Sequence, residues 1–275
     1  MKKYIRITIW VILTIGLIVG LIFAGIFHQN RICKSLKLKI EYNNAEPFFT
    51  EDEIIKYLIN KNDSIIGKKI SEINENLIEN ILKENPYIYN AEVFVNMDGD
   101  IKIDITQRKP LVRIVNKQNQ HFYLDDKGVK IPVKIGFPAN VVIANGNIST
   151  VYVPFRSENE GQKNDTLNLQ KDTVLYSVFK IAEYLNRNDF FKAQIEEIFV
   201  NESKEIELFP KLGDQIIIFG SIENLEDKFN KLMILYKDGF NKVGWEKYSI
   251  INLKYKDQIV CTKRNLDKSI SNESN

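Results

Sequence analysis

The sequence predicts an α+β protein. One apolar N-terminal helix comes first, then a small β-α-α-β-β module, then a mixed, β-rich domain with two helices. Three observations carry this. Ile7 to Phe27 runs 21 residues without a charge. Residues 36–107 pass from alternating to helical and back to alternating apolar spacing. Beyond Pro110, short alternating runs recur between turn residues and are interrupted by two amphipathic stretches.

As a helix, Ile7–Phe27 spans about 31 Å, close to the hydrocarbon thickness of a bilayer. A cleaved signal peptide has a shorter apolar core and a small-x-small cleavage site. Here the core is longer, and Ala24 and Gly25 follow Ile22 and Phe23 at the wrong spacing. The run is therefore read as a retained membrane anchor, residues 7–27, behind a tail of residues 1–6. Lys2, Lys3 and Arg6 precede it, and Arg31, Lys34, Lys37 and Lys39 follow, so positive charge alone does not orient it. The short tail is placed in the cytoplasm. Gly16, Gly20 and Ala24 share a face at a spacing that permits close helix approach, although small residues are common in membrane helices.

Leu36, Leu38, Ile40 and Tyr42 alternate with polar residues as a strand does. Thr50 and Glu53 form a capping box ahead of Ile54, Ile55, Leu58 and Ile59. A second helix is predicted from Ser71 to Glu84, closed by Asn85-Pro86. Two strands then surround Asp98-Gly99, a pair suited to a tight hairpin.

In the second domain, Leu111–Val115, the hairpin around Asp125-Asp126-Lys127-Gly128, and Val141–Ile143 read as strands. Residues 156–171 are polar and read as an exposed loop. Asp172 caps a helix with Val174, Val178, Ile181, Ala182 and Leu185 inward. Strands at Ile195–Val200, Ile206–Phe209 and Gln215–Phe219 precede a helix from Glu223 to Tyr236, with Trp245 packed beneath it. Tyr248–Tyr255 and Gln258–Thr262 are the last strands, and residues 263–275 form a polar, disordered tail.

The chemistry-bearing residues are few. The net charge of +2 in 275 residues gives no strong field for nucleic acid. There are two histidines, His28 and His121, and two cysteines, Cys33 and Cys261, read as free rather than bridged. No HExxH, CxxC, P-loop, GxGxxG or GxSxG motif occurs. The sequence thus offers no metal, cofactor or small-molecule site and no catalytic constellation, although scattered carboxylates leave a carboxylate enzyme open.

The ordered β-α-α-β-β pattern just beyond an anchor resembles the POTRA module, a small polypeptide-binding domain. The segment Asn85–Ile114, NPYIYNAEVFVNMDGDIKIDITQRKPLVRI, sharpens the likeness through Asn85, Pro86, Tyr87, Ala91, Arg108 and Pro110. With FYLDDKGVKIP, FGSIENLEDKFNKL, Gly244-Trp245 and KYSIINLKYKDQIVCTKR, the chain resembles the FtsQ/DivIB family of bacterial cell-division proteins, in its Bacteroidetes form. The resemblance implies a POTRA-like domain at 36–107 and a partner-binding domain at 108–262, with Arg108 and Pro110 at a hinge.

It also implies a non-enzymatic divisome scaffold in the cell inner membrane, with the body periplasmic at the septum, partners of the FtsB/FtsL type, and an influence on septal peptidoglycan synthesis. Independently, a terminal strand in an open sheet offers unpaired backbone groups to an added strand. Tyr248, Ile251, Leu253, Tyr255, Ile259 and Val260 are the candidate partner-binding residues. A membrane-tethered cell-envelope enzyme is the alternative and needs polar side chains converging in a cleft. An outer-membrane assembly factor would need a barrel, which the helices at 172–187 and 223–236 oppose.

Overall fold

A computed structural model describes residues 2–29, 31–61, 65–96, 98–153, 169 and 171–264. The chain forms two compact units, Met1–Arg108 and Lys109–Asn275.

The first unit begins with α1 (Lys2–Gln29), which within Tyr4–Leu21 has a mean hydropathy of 2.1 and buries none of its surface. Length and composition suffice for it to cross a membrane. β1 (Leu36–Glu41), α2 (Glu51–Lys61), α3 (Glu75–Lys83), β2 (Ile88–Val95) and β3 (Ile101–Gln107) follow. β3 is central, parallel to β1 and antiparallel to β2. The capping box forms as expected: Thr50 N–H donates to Glu53 Oε2 and Glu53 N–H to Thr50 Oγ1, both at 3.3 Å. Gly99 takes φ +88° in the β2–β3 turn, where a Cβ would be strained.

The second helix starts later than expected. Residues Ile70–Glu72 form one 3-10 turn, and Asn74 caps α3 by accepting from Leu77 N–H at 3.1 Å. The helices bury Ile54, Leu58, Ile78 and Leu82, α3 packs on α2 and β2, and Ile101, Ile103 and Ile105 of β3 are fully buried as well. Buried Gln107 ties the entry loop down. Its Oε1 accepts from Phe48 N–H at 2.7 Å, and its Nε2 donates to Glu46 O at 3.0 Å.

The second unit is a nine-stranded sheet. In chain order its strands are β4 (Pro110–Val115), β5 (His121–Asp125), β6 (Lys130–Pro132), β7 (Val142–Gly146), β8 (Ile195–Val200), β9 (Ile206–Pro210), β10 (Ile216–Gly220), β11 (Tyr248–Asn252) and β12 (Val260–Lys263). In space they run β12-β11-β10-β9-β8-β7-β4-β5-β6. Helices α4 (Thr173–Arg187), α5 (Asp189–Gln194) and α6 (Leu225–Ile234) accompany them, and a π-turn, Leu235–Gly239, leads into α7 (Phe240–Val243).

Asp172 caps α4 through Leu175 N–H at 3.0 Å and pairs with the Thr150 hydroxyl. The buried Asp125 organises the β5–β6 turn, where its Oδ1 accepts from Lys127 N–H at 2.9 Å and Val129 N–H at 2.7 Å. The core joins α4 and α6 to one sheet face. Phe229 lies at its centre, stacked on Tyr184 at 4.2 Å and packed by Phe191 and Phe219.

Several local expectations differ from what is observed. The strand expected at Val141–Ile143 and ending at Asn145-Gly146 forms as β7, Val142–Gly146, but it is not the buried strand its apolar run suggests: Ile143 is exposed, and of the five residues only Ala144 is fully buried. The stretch after Tyr236 stays helical, because Gly239 continues the π-turn into α7 instead of ending the helix. Trp245 is 38% exposed and does not pack beneath that helix. β11 ends at Asn252, not Tyr255. The loop at 156–171 and the tail from 265 lie almost wholly outside the described residues.

Candidate functional site at the sheet edge

The sheet's C-terminal edge is built by α6, β10, β11 and β12. A crossover through α6, the π-turn and α7 sets β11 parallel to β10, with Ile217 level with Ile251. β12 then folds back antiparallel on β11. Among the described residues β12 borders no further strand, so its outer backbone groups face away from the sheet.

The six candidate residues separate into two groups. Ile251 and Leu253 are fully buried and belong to the core. Leu253 N–H donates to Ile218 O at 2.9 Å. Their side chains are therefore closed to a partner, and this narrows the sequence reading. Tyr248 is half-buried against Phe240, with ring centroids 6.3 Å apart, and Ile259 packs against the core margin. Tyr255, at 49%, and Val260, at 40%, are exposed on the β11–β12 turn and on β12. A β-bulge between Tyr248 and Ile250 and the early end of β11 explain the division, since a strand's two-residue alternation holds only within a regular ladder.

Two lysines, not anticipated from the sequence, fix this edge. Lys228 is buried in α6 and donates to Phe219 O at 3.0 Å and Ser221 O at 2.7 Å, holding the end of β10. Burial pushes its ammonium below the usual lysine range, and neighbouring Lys231 adds to the effect. Lys231, one turn on, donates to Tyr255 O at 2.6 Å and Lys256 O at 3.0 Å, clasping the exposed turn. The signal was present: Lys228 sits on the apolar stripe of Leu225, Phe229 and Leu232. A charge on a core stripe needs partners, here backbone carbonyls. Lys254 pairs with Glu205 at 2.6 Å and Arg264 with Asp214 at 3.0 Å, fastening both ends of the hairpin.

Arg108 ends the first unit with its guanidinium 5.8 Å from the Tyr89 ring centroid, and Pro110 opens β4 as a buried residue. Cys33 and Cys261 are free, and burial raises both thiols, disfavouring the reactive thiolate. His121 starts β5 and meets Arg113, Nη2 to Nδ1, at 2.9 Å. Among the described residues no group of three or more His, Cys, Asp or Glu side chains is placed to hold a metal. A groove of about 570 Å³ between α4 and the start of α6 carries Glu183, Glu226 and Asp227. Glu183 there is already paired with Lys180 at 2.9 Å and Arg187 at 2.6 Å.

A helix long and apolar enough to cross a membrane, a small β-α-α-β-β unit and an open-edged sheet fit a chain that meets other proteins. Residues 31–106 match the model for the POTRA-like domain, which gives the first unit its class. Residues 109–262, more than half of the chain, match the model described as FtsQ/DivIB, C-terminal related, and the chain belongs to the FtsQ/DivIB family. That makes it a division-related protein of a generally non-enzymatic scaffold family. A search of curated proteins found no match.

Proposed function

We propose that this protein is a membrane-anchored scaffold of the division apparatus. It captures partner segments by strand addition at β12 and so helps regulate septal peptidoglycan synthesis carried out by others. The observation that carries the reading is the free edge of β12, with Tyr255 and Val260 exposed beside it and Lys231 clasping the turn. Backbone pairing supplies affinity, and the exposed side chains supply selectivity.

The partners are small single-pass division proteins of the FtsB/FtsL type. α1 holds the body at the inner membrane, with the N-terminus cytoplasmic and the body periplasmic at the septum. Arg108 and Pro110 act at the join between the POTRA-like and partner-binding domains. No cofactor, nucleic acid or small-molecule substrate enters this mechanism.

The test is in-cell crosslinking from a photoreactive residue at Tyr255, with mass spectrometry of what is caught. Capture of small coiled-coil division proteins is the expected result. A folded protein that catches glycans, lipid carriers or nothing removes this edge as the docking site.

A further inference from the structure

The nine-stranded sheet buries one face under α4 and α6. Its other face has a distinct pattern across β7 to β10. In one register Ile143, Glu197 and Phe209 lie side by side, and in the next Phe199, Glu207 and Ile218 do. Each glutamate therefore sits between two large apolar side chains. Ile143 is 37% exposed, and Glu197, Phe199, Glu207, Phe209 and Ile218 are half-buried. The Phe199 and Phe209 rings meet edge-on at 6.2 Å, making a ridge between the carboxylates.

Two acceptor groups here lack partners, beside one donor, the buried Nε of Arg113 at the β4 margin. Among the described residues Glu197 has no hydrogen-bond or ion-pair partner. Asn145, level with Phe199, has a buried Oδ1 that receives no donor. Glu207 takes one neutral donor, Asn201 Nδ2 at 3.0 Å. The basic side chain next to Ile143, Arg113, is turned to His121. An apolar face with unspent acceptors fits a ligand that brings apolar surface and cationic donors together.

We propose that this face docks an amphipathic helix of a partner protein whose apolar stripe is bracketed by lysine or arginine. A helix is the form this sheet already buries on its other side, and a helix about 10 Å wide covers roughly two strand spacings. Strand rise and spacing place the Glu197 and Glu207 backbones about 8 Å apart, within reach of cations on successive helical turns. A second copy of the same face would set glutamates against glutamates, and an anionic membrane surface would be repelled. The site is separate from the β12 edge and does not depend on strand addition there.

The test uses the full chain in zwitterionic nanodiscs and two labelled helical peptides with one leucine stripe, flanked by lysine in one and by glutamate in the other. The lysine peptide is expected to bind at least tenfold tighter, although the chain's own net charge of +2 favours the acidic one. Glu197→Lys should reverse the preference, Glu197→Gln should erase most of it with the fold intact, and Tyr255→Ala should leave it unchanged. Equal binding of both peptides, a preference indifferent to both Glu197 substitutions, loss with Tyr255→Ala, or self-association through this face would each overturn the proposal.

Discussion

Leu253→Ala tests which residues of the sheet edge belong to the core. Leu253 is fully buried, and its backbone is bonded to Ile218 O. Truncation removes three carbon groups from the core, worth about 0.8 kcal/mol each in transfer free energy, or roughly 2.4 kcal/mol together. The incompletely collapsed cavity adds to this, within the range of about 2–5 kcal/mol seen for leucine truncations. For a unit of this size each kcal/mol lowers Tm by about 2–4 °C, so a loss of roughly 5–20 °C is expected. Tyr255→Ala, on an exposed turn, should stay within about 0.5 kcal/mol of the parent. Thermal unfolding of the full chain in nanodiscs, followed by Trp245 fluorescence, measures both. If Leu253→Ala melted within a degree of the parent, or Tyr255→Ala fell as far as Leu253→Ala, the division of this edge into core and exposed residues would be wrong.

Lys231→Met removes two exposed carbonyl contacts and should cost about 1 kcal/mol locally, read as roughly fivefold faster amide exchange at 254–258 with little change in Tm. Unchanged exchange would show that the turn is held by other means. Asp125→Ala strands two backbone donors of the β5–β6 turn that are only partly buried and should cost roughly 1–3 kcal/mol in denaturant unfolding, whereas an unchanged stability would contradict that role. Burial pushes the Tyr236 phenol up to about 12, against a weaker opposite pull from Gln194. A raised folded-state pKa favours folding fully below pH 10, and the contribution, roughly 2–3 kcal/mol, fades as pH climbs from 10 through 12. Tyr236→Phe should therefore flatten the alkaline limb of the stability curve, and an unaltered limb would contradict the burial argument.

What the sequence revealed was local. Thr50 with Glu53, Asp172 ahead of its helix, and Gly99 in its hairpin each satisfy a nearby backbone group, so the residues doing the work lie within a few positions of one another. The alternation in Ile206–Pro210 likewise survives intact, and that of Ile195–Val200 holds from Glu197 onward, past a register shift at Ile195/Glu197, because those strands sit mid-sheet with both neighbours in place. The edge was harder to read. Ile251, Leu253 and Tyr255 alternate in sequence as if they shared a face, yet the first two complete the core and the third lies on a turn. That outcome depends on parallel pairing with β10, on the bulge at Tyr248/Ile250, and on Lys231 reaching over from α6. Each is a long-range event with no local mark. The six apolar and acidic positions from Ile143 to Ile218 become neighbours only through strand order.

The parallel join between β10 and β11 also bears on how the protein is made. β12 can find its place only on β11, and β11 only after the α6–α7 crossover has carried the chain back beside β10. A chain that emerges and folds from its N-terminus therefore completes the rest of the sheet before this edge exists. A chain whose synthesis has not yet passed Lys263 cannot offer this edge.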